Sequence, residues 1–198
     1  MSQAEFEGDE VELENTANRR LNVGCGEWPM LWWTNLDSAD VPADIHADAI
    51  AHLQSCQPGR YDEIYAGHFL EHLAREAGAV FLAECFKVLS PGGKLGIVVP
   101  DTFEICERYV HHRIDAVEFP QGRWWDVRDL DAVCGLFLYS TIQDSPHCWS
   151  YDIHTLARAM QQAGFVGLRE IDRYRDPRLG SPAWYQCGLD GFKPKEVQ

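Results

Sequence analysis

Several things are missing from this 198-residue chain, and each absence removes a class of protein. No apolar run approaches the roughly 20 residues that a membrane-spanning helix needs. The N-terminus has no basic stretch followed by an apolar one, so it does not read as a secretory signal, and a cytoplasmic setting is expected. The seven cysteines are odd in number and contain no Cys-x-x-Cys pair. That argues against a disulfide framework and against a thiolate zinc site. Lys and Arg are absent from residues 1–18, which carry six acids. This stretch reads as a solvated, disordered acidic tail. Removing its six acids from the net −14 leaves the remainder still at −8. A surface of that sign offers no basic stripe for a phosphate backbone, so a nucleic-acid partner is disfavoured. Nothing in the sequence indicates an oligomeric state.

What is present is an alternation. From Arg19 onward short β-like runs alternate with helical patterns, which predicts an α/β domain over residues 19–198 with a mostly parallel sheet. Strands are expected at Leu21–Val23, Thr34–Leu36, near Asp44–Ala47, at Glu63–Ala66 and at Lys94–Val99, with two late runs at Val166–Asp172 and Trp184–Phe192. Leu73, Ala77, Phe81, Cys85 and Val88 recur at helical spacing, and Ser90-Pro91-Gly92-Gly93 reads as the turn that stops that helix. A second helix is expected between Asp152, an N-cap, and Gly164, a C′ glycine. Residues 101–150 break the rhythm with Trp124, Trp125, Trp149, His111, His112 and His147. They read as an insertion at the ligand-binding edge of the sheet: a helical cover that buries its own aromatics, or a lid.

Three features carry chemistry. Leu21-Asn22-Val23-Gly24-Cys25-Gly26 is an apolar strand entering a Gly-x-Gly turn, where glycine lets the backbone bend sharply and a ligand approach. Pro29 occupies the third glycine position of a dinucleotide fingerprint, and Glu27 would repel a pyrophosphate. S-adenosylmethionine has no phosphate and carries a sulfonium cation, so it tolerates an acidic loop. Asp37, 13 residues after Gly24, closes a second strand where a carboxylate can accept from both ribose hydroxyls. Asp48 is placed to accept from an adenine amino group. The third feature is Tyr65-Ala66-Gly67-His68-Phe69-Leu70-Glu71-His72-Leu73. It contains H-x-x-E-H, the inverted zinc-peptidase motif, which needs both histidines on one helix face. Because His68 directly follows a strand, that geometry is not expected, and no metal is assigned.

Taken in order, Leu21–Gly26, Asn35-Leu36-Asp37, Asp48, Tyr65–Leu73, Val88–Gly93, Val98-Val99-Pro100-Asp101 and the run Tyr151-Asp152, Leu156, Ala163-Gly164-Phe165 resemble the class I S-adenosylmethionine-dependent methyltransferases over residues 19–192. The resemblance is to the branch with L-N-x-G-C-G and H-x-L-E-H motifs. It implies a Rossmann-like sheet of seven strands in the order 3-2-1-4-5-7-6, strand 7 antiparallel, with helices on both faces. It implies S-adenosyl-L-methionine as cofactor and S-adenosyl-L-homocysteine as product. The methionine moiety would rest on Gly24, Cys25 and Gly26 and the ribose on Leu36 and Asp37. The adenine would lie near Asp48 and Ala49, and the sulfur near Gly67 and His68. Glu27-Trp28-Pro29 departs from the third small residue of many relatives, and Trp28 would crowd the pocket or stack on a ligand.

Methyl transfer is an in-line displacement, so the protein mainly aligns donor and acceptor and excludes water. A general base is needed where the acceptor loses a proton, and His68 and His147 are the catalytic candidates. The sequence reading is therefore a methyltransferase acting on a small-molecule or saccharide-like acceptor. The alternative is a cofactor-binding, catalytically weak or vestigial domain that acts through protein association.

Overall fold

Leu21, Val23, Ile64, Ala66, Leu95, Ile97 and Val99 are almost wholly buried, and so are Asn22, Tyr65 and Val98 between them. Strands shielded on both faces are the mark of a parallel sheet covered by helices on each side. The computed structural model describes residues 18–111, 147–171 and 185–195. In chain order these form β1 (Arg20–Val23), β2 (Thr34–Asp37), β3 (Ile45–His46), α1 (Ala49–Ser55), β4 (Tyr61–Gly67), a 3₁₀ turn (Leu70–His72) and α2 (Arg75–Val88). They continue with β5 (Leu89–Pro100), α3 (Thr102–Val110), α4 (Ile153–Gln162), β6 (Val166–Glu170) and β7 (Gln186–Phe192). The seven strands lie in the order β3-β2-β1-β4-β5-β7-β6. β1 to β5 are parallel, and β7 runs antiparallel to both β5 and β6. This is the expected Rossmann-like order, including its reversed last strand.

The helix expected after Asp152 is closed at both ends as read. Asp152 accepts from the Thr155 amide at 2.7 Å while Thr155 Oγ1 accepts from the Asp152 amide at 2.9 Å, a reciprocal capping box. Gly164 leaves the helix at φ +104°, and Leu156 and Met160 are fully buried.

Ser90–Gly93 differs from the sequence reading. α2 does stop there, but the four residues are not a turn before the strand; they lie within β5 as a bulge. Tyr61 pairs with Leu89, and the next pair is Glu63 with Lys94. A distant residue holds the bulge: the Gly92 amide donates to Lys193 O at 3.0 Å and the Lys193 amide to Gly93 O at 2.9 Å. Lys193 Nζ also donates to Leu89 O at 2.7 Å and Lys87 O at 3.2 Å, satisfying carbonyls at the C-terminus of α2. The short helix α1 has no counterpart in the sequence reading. The insertion that begins at residue 101 opens with α3. Its residues 112–146, including His112, Trp124 and Trp125, lie outside the described residues. So do the acidic tail through residue 17 and the outer ends of the last two strand runs, Asp172 and Trp184.

His52 on α1 sits with Nε2 2.9 Å from the Tyr61 hydroxyl and 3.6 Å from Cys56 Sγ. Burial, then the Arg60 charge, lowers its pKa below the ordinary 6.5. The unfolded chain therefore binds a proton at His52 more readily than the folded chain, and stability falls as pH drops through the window just below 6.5. His147, whose pKa is lowered chiefly by burial, acts in the same direction. Thermal melts between about pH 7 and about pH 5 should show a falling midpoint, and His52→Gln should flatten that slope. An unaltered slope in the variant would place the acid sensitivity elsewhere.

Candidate functional site

Val23 is paired with Leu36 on one side and Ala66 on the other. The residues that follow these three, Gly24, Asp37 and Gly67, therefore emerge together at the carboxyl edge of the sheet. Between β1 and β4 the winding direction of the chain reverses, and at such a point the loops diverge and leave a crevice. Here the crevice is a cleft of about 380 Å³ lined by Gly24, Cys25, Gly26, Glu27, Trp28, Gly67, His68 and Tyr185.

Gly24 and Gly26 adopt φ +63° and +52°, the left-handed region that favours glycine. The amides of Gly24 and Cys25 both donate to Leu36 O, at 2.8 and 3.2 Å. Gly26 N donates to Asp37 Oδ2 at 2.9 Å, and Ala39 N donates to Asp37 Oδ1 at 2.9 Å. Asp37 thus ties the Gly-x-Gly turn to the end of β2. The residues after the turn are held by a buried polar network. Asn22 Nδ2 donates to Asn35 Oδ1 at 3.0 Å, Met30 N to the same oxygen at 2.7 Å, and Asn35 Nδ2 to Asp44 Oδ2 at 3.0 Å. Asn22 and Asn35 are buried, and of their side-chain polar atoms Asn22 Oδ1 alone lacks a hydrogen-bond partner among the described residues.

Of the residues singled out in the sequence, Gly24, Cys25, Gly26, Gly67 and His68 meet in the cleft, and Asp37 adjoins it through Gly26. Leu36 is a core residue whose carbonyl anchors the turn. Asp48 and Ala49 are not among the cleft's lining residues: Asp48 is the N-cap of α1, accepting from Ala51 N at 2.8 Å, and Ala49 is buried. Trp28 lines the cleft without filling it and is 42% exposed. Tyr185 and Gln186, which the sequence reading did not single out, join the site from β7 and the residue before it. Gln186 Oε1 lies 2.9 Å from His68 Nε2 across 118 residues of sequence. A separate cavity of about 300 Å³, lined by Arg75, Leu82, Trp149, Tyr151, Arg158 and Gln162 among others, shares no residue with the cleft.

Beside the cleft lies a cluster of imidazoles around one carboxylate. His68 has φ +51°, and the 3₁₀ turn Leu70–His72 separates it from α2, which begins only at Arg75. His68 and His72 therefore do not share an α-helical face, and the peptidase geometry of H-x-x-E-H is not formed. His68 Nδ1 stands 3.3 Å from Glu71 Oε1. With Gln186 at Nε2, both ring nitrogens of His68 are engaged. Glu71 is 1% exposed. Burial pushes its pKa up, but the His68 imidazole and the His72 charge outweigh that, and it lies below the ordinary carboxylate value. The amides of Cys148 and Trp149 donate to Glu71 O at 2.7 and 3.1 Å, which brings His147 edge-on to His72 with ring centroids 4.9 Å apart.

The methyltransferase domain family matches residues 10–170. No curated protein matches the chain. Among solved structures, a SAM-dependent methyltransferase from Archaeoglobus fulgidus is similar at 14% identity and a TM-score of 0.55, over 92% of this chain and 94% of that one. A possible histamine N-methyltransferase from Thermotoga maritima is similar at 12% identity and 0.54, over 88% and 82%. The 1,6-didemethyltoxoflavin-N1-methyltransferase of Burkholderia thailandensis, solved with 1,6-didemethyltoxoflavin and S-adenosylhomocysteine, is similar at 14% and 0.52, over 89% and 71%. At these identities the likeness is one of fold.

The two turn glycines should respond differently to alanine. A Cβ on Gly24 would lie 2.6 Å from Phe69 Cδ2, and Phe69 packs on Phe81 at 5.1 Å between centroids. A Cβ on Gly26 meets nothing within 4 Å. In denaturant melts Gly24→Ala should lose more than the roughly 1–2 kcal/mol that a left-handed alanine costs by itself, and Gly26→Ala should lose about that amount. Equal losses would contradict the packing described.

Proposed function

The chain belongs to the methyltransferase domain family, and on that premise we propose that it transfers the methyl group of S-adenosylmethionine to a small-molecule or saccharide-like acceptor. The observation that carries the proposal is the cleft between β1 and β4, floored by a glycine turn with open space above Gly26 and fastened by Asp37. Its chemistry suits the cofactor. Backbone approach is unobstructed at Gly26, and Glu27 puts a carboxylate in the cleft lining, where it favours a sulfonium and opposes a pyrophosphate. In this reading the methionine moiety rests on Gly24, Cys25 and Gly26. Leu36 and Asp37 hold the ribose, Asp48 and Ala49 the adenine, and Gly67 and His68 face the sulfur. Each Asp37 oxygen accepts one backbone N–H and retains a lone pair for a ribose hydroxyl.

When bound, S-adenosylmethionine supplies a methyl carbon already activated by the sulfonium. The chain's own task is to orient, to exclude water and, for a hydroxyl acceptor, to receive a proton. That proton would go to His68, whose Nδ1 stands 3.3 Å from Glu71 Oε1, or to His147. A small acceptor is supported by the net −14 charge, which repels polyanions, and by the bound toxoflavin precursor of the Burkholderia thailandensis enzyme. No described helix is long and apolar enough to cross a membrane. Residues 19–198 form one domain in this reading, with residues 101–150 as its insertion.

Calorimetry with S-adenosylmethionine tests the cofactor assignment. Asp37→Ala should weaken binding by roughly 10–150-fold, the equivalent of about 1.5–3 kcal/mol for a lost charged acceptor. It should also lower the melting midpoint, since the Gly26 and Ala39 amides lose their acceptor. Unchanged affinity would reject the ribose assignment. S-adenosylhomocysteine should form when a panel of small hydroxyl and amine compounds is supplied. Tight cofactor binding with no product across that panel would favour a domain that works by association.

A further inference from the structure

We propose that Glu71, His72 and His147 form a binding site for a single divalent transition cation of the zinc type. One ligand atom from each residue lies within 4.8 Å of those of the other two. Two imidazoles and one carboxylate are a borderline-soft donor set, suited to zinc-like ions and poorly suited to magnesium or calcium, which prefer all-oxygen shells. A second observation concerns the Glu71 carboxylate itself. Glu71 is 1% exposed, its Oε1 is in ion-pair range of His68, and both carboxylate oxygens are buried with no hydrogen-bond partner among the described residues. A buried carboxylate oxygen without a donor is costly, and a cation between it and the two imidazoles removes that cost.

The fold explains why these three meet. The 3₁₀ turn Leu70–His72 presents Glu71 and His72 as neighbours, and the Cys148 and Trp149 amides grip Glu71's own carbonyl, so residue 147 is delivered to the same corner. A tetrahedral zinc ion with bonds of about 2.0–2.2 Å holds its ligand atoms about 3.4 Å apart. The widest separation here must therefore shorten by somewhat over an ångström. His147, half-buried at the clamp, can supply that movement by side-chain rotation. His68 on Oε1 is the outer partner that orients the carboxylate. The site differs from the H-x-x-E-H peptidase pattern, since His147 stands where that pattern needs His68. Three protein ligands leave a tetrahedral ion one further position, which water can fill.

The test is independent of methyl transfer, because metal binding is read without cofactor or acceptor. Full-length protein stripped with EDTA would be titrated with Zn²⁺ against a chromophoric chelator, and with Co²⁺ followed by visible absorption. One equivalent of Zn²⁺ should bind, raising the melting midpoint, and Co²⁺ should give the intense ligand-field bands of a four-coordinate N/O site. His147→Ala and His72→Gln should each weaken Zn²⁺ binding by more than the roughly 10–100-fold typical of losing an outer partner. Their metal-free melting midpoints should stay near that of the unaltered chain. Glu71→Gln does not serve, since removing a buried carboxylate charge acts on folding as well. Cys148→Ser should bind as the unaltered protein does, because Cys148 is exposed beside the cluster. No binding at stoichiometric Zn²⁺, binding unaffected by both histidine variants, or thiolate-to-cobalt charge-transfer bands that Cys148→Ser removes would each overturn the proposal.

Discussion

The parallel pairing of β1 with β2 on one side and β4 on the other is the constraint on which the rest of this structure depends. With Val23 set against Leu36 and Ala66, three loops are forced to leave the sheet at one level. Gly24 opens the first, and Asp37 and Gly67 are the last strand residues before the other two. Apolar burial of Leu21, Val23, Leu36, Ile64 and Ala66 fixes the register, and the register fixes the site. None of the groups at the cleft has to be placed by its own loop alone. Each needs only to stand at the right distance from a strand end that the core has already set.

The polar groups buried near this edge act as fasteners. Asn22 and Asn35 lie on adjacent strands and bond to each other, and Asn35 reaches on to Asp44 before β3. Asp37 then fastens the turn itself. The result is a glycine turn that keeps its conformational freedom at Gly24 and Gly26 yet is held at both ends. A loop held in this way can present backbone N–H groups and open space without being refolded by what it meets. On the other side of the cleft, Glu71 does similar work for the His68 corner, gathering His68 through its side chain and the His147 segment through its carbonyl.

Much of this was legible in the sequence, because it is written locally. Strand positions follow from short apolar runs, the α4 caps from Asp152 and Gly164, and the Gly-x-Gly turn from its two glycines. The strand order came from the resemblance of the ordered motifs, since no local pattern specifies which strands are neighbours. The misread parts depend on distant partners. Ser90–Gly93 has turn composition, yet Lys193 holds it inside a strand. The helix that Asp48 caps went unread because its seven residues are too few to show a period. Gln186 and His147 meet His68 and Glu71 only after the sheet is assembled. Asn22 and Asn35 were not read as a buried pair, although polar residues within apolar strands are a signal of one.

The central claim is that the crevice between β1 and β4 holds S-adenosylmethionine. Titration of isotope-labelled protein with S-adenosylhomocysteine, followed through backbone amide resonances, tests it most directly. The account predicts saturable shifts concentrated at Gly24–Glu27, at Asp37 and its following residues, and at Gly67 and His68. Shifts confined to the separate cavity around Arg75, Leu82, Trp149 and Arg158, with the glycine turn unmoved, would contradict it.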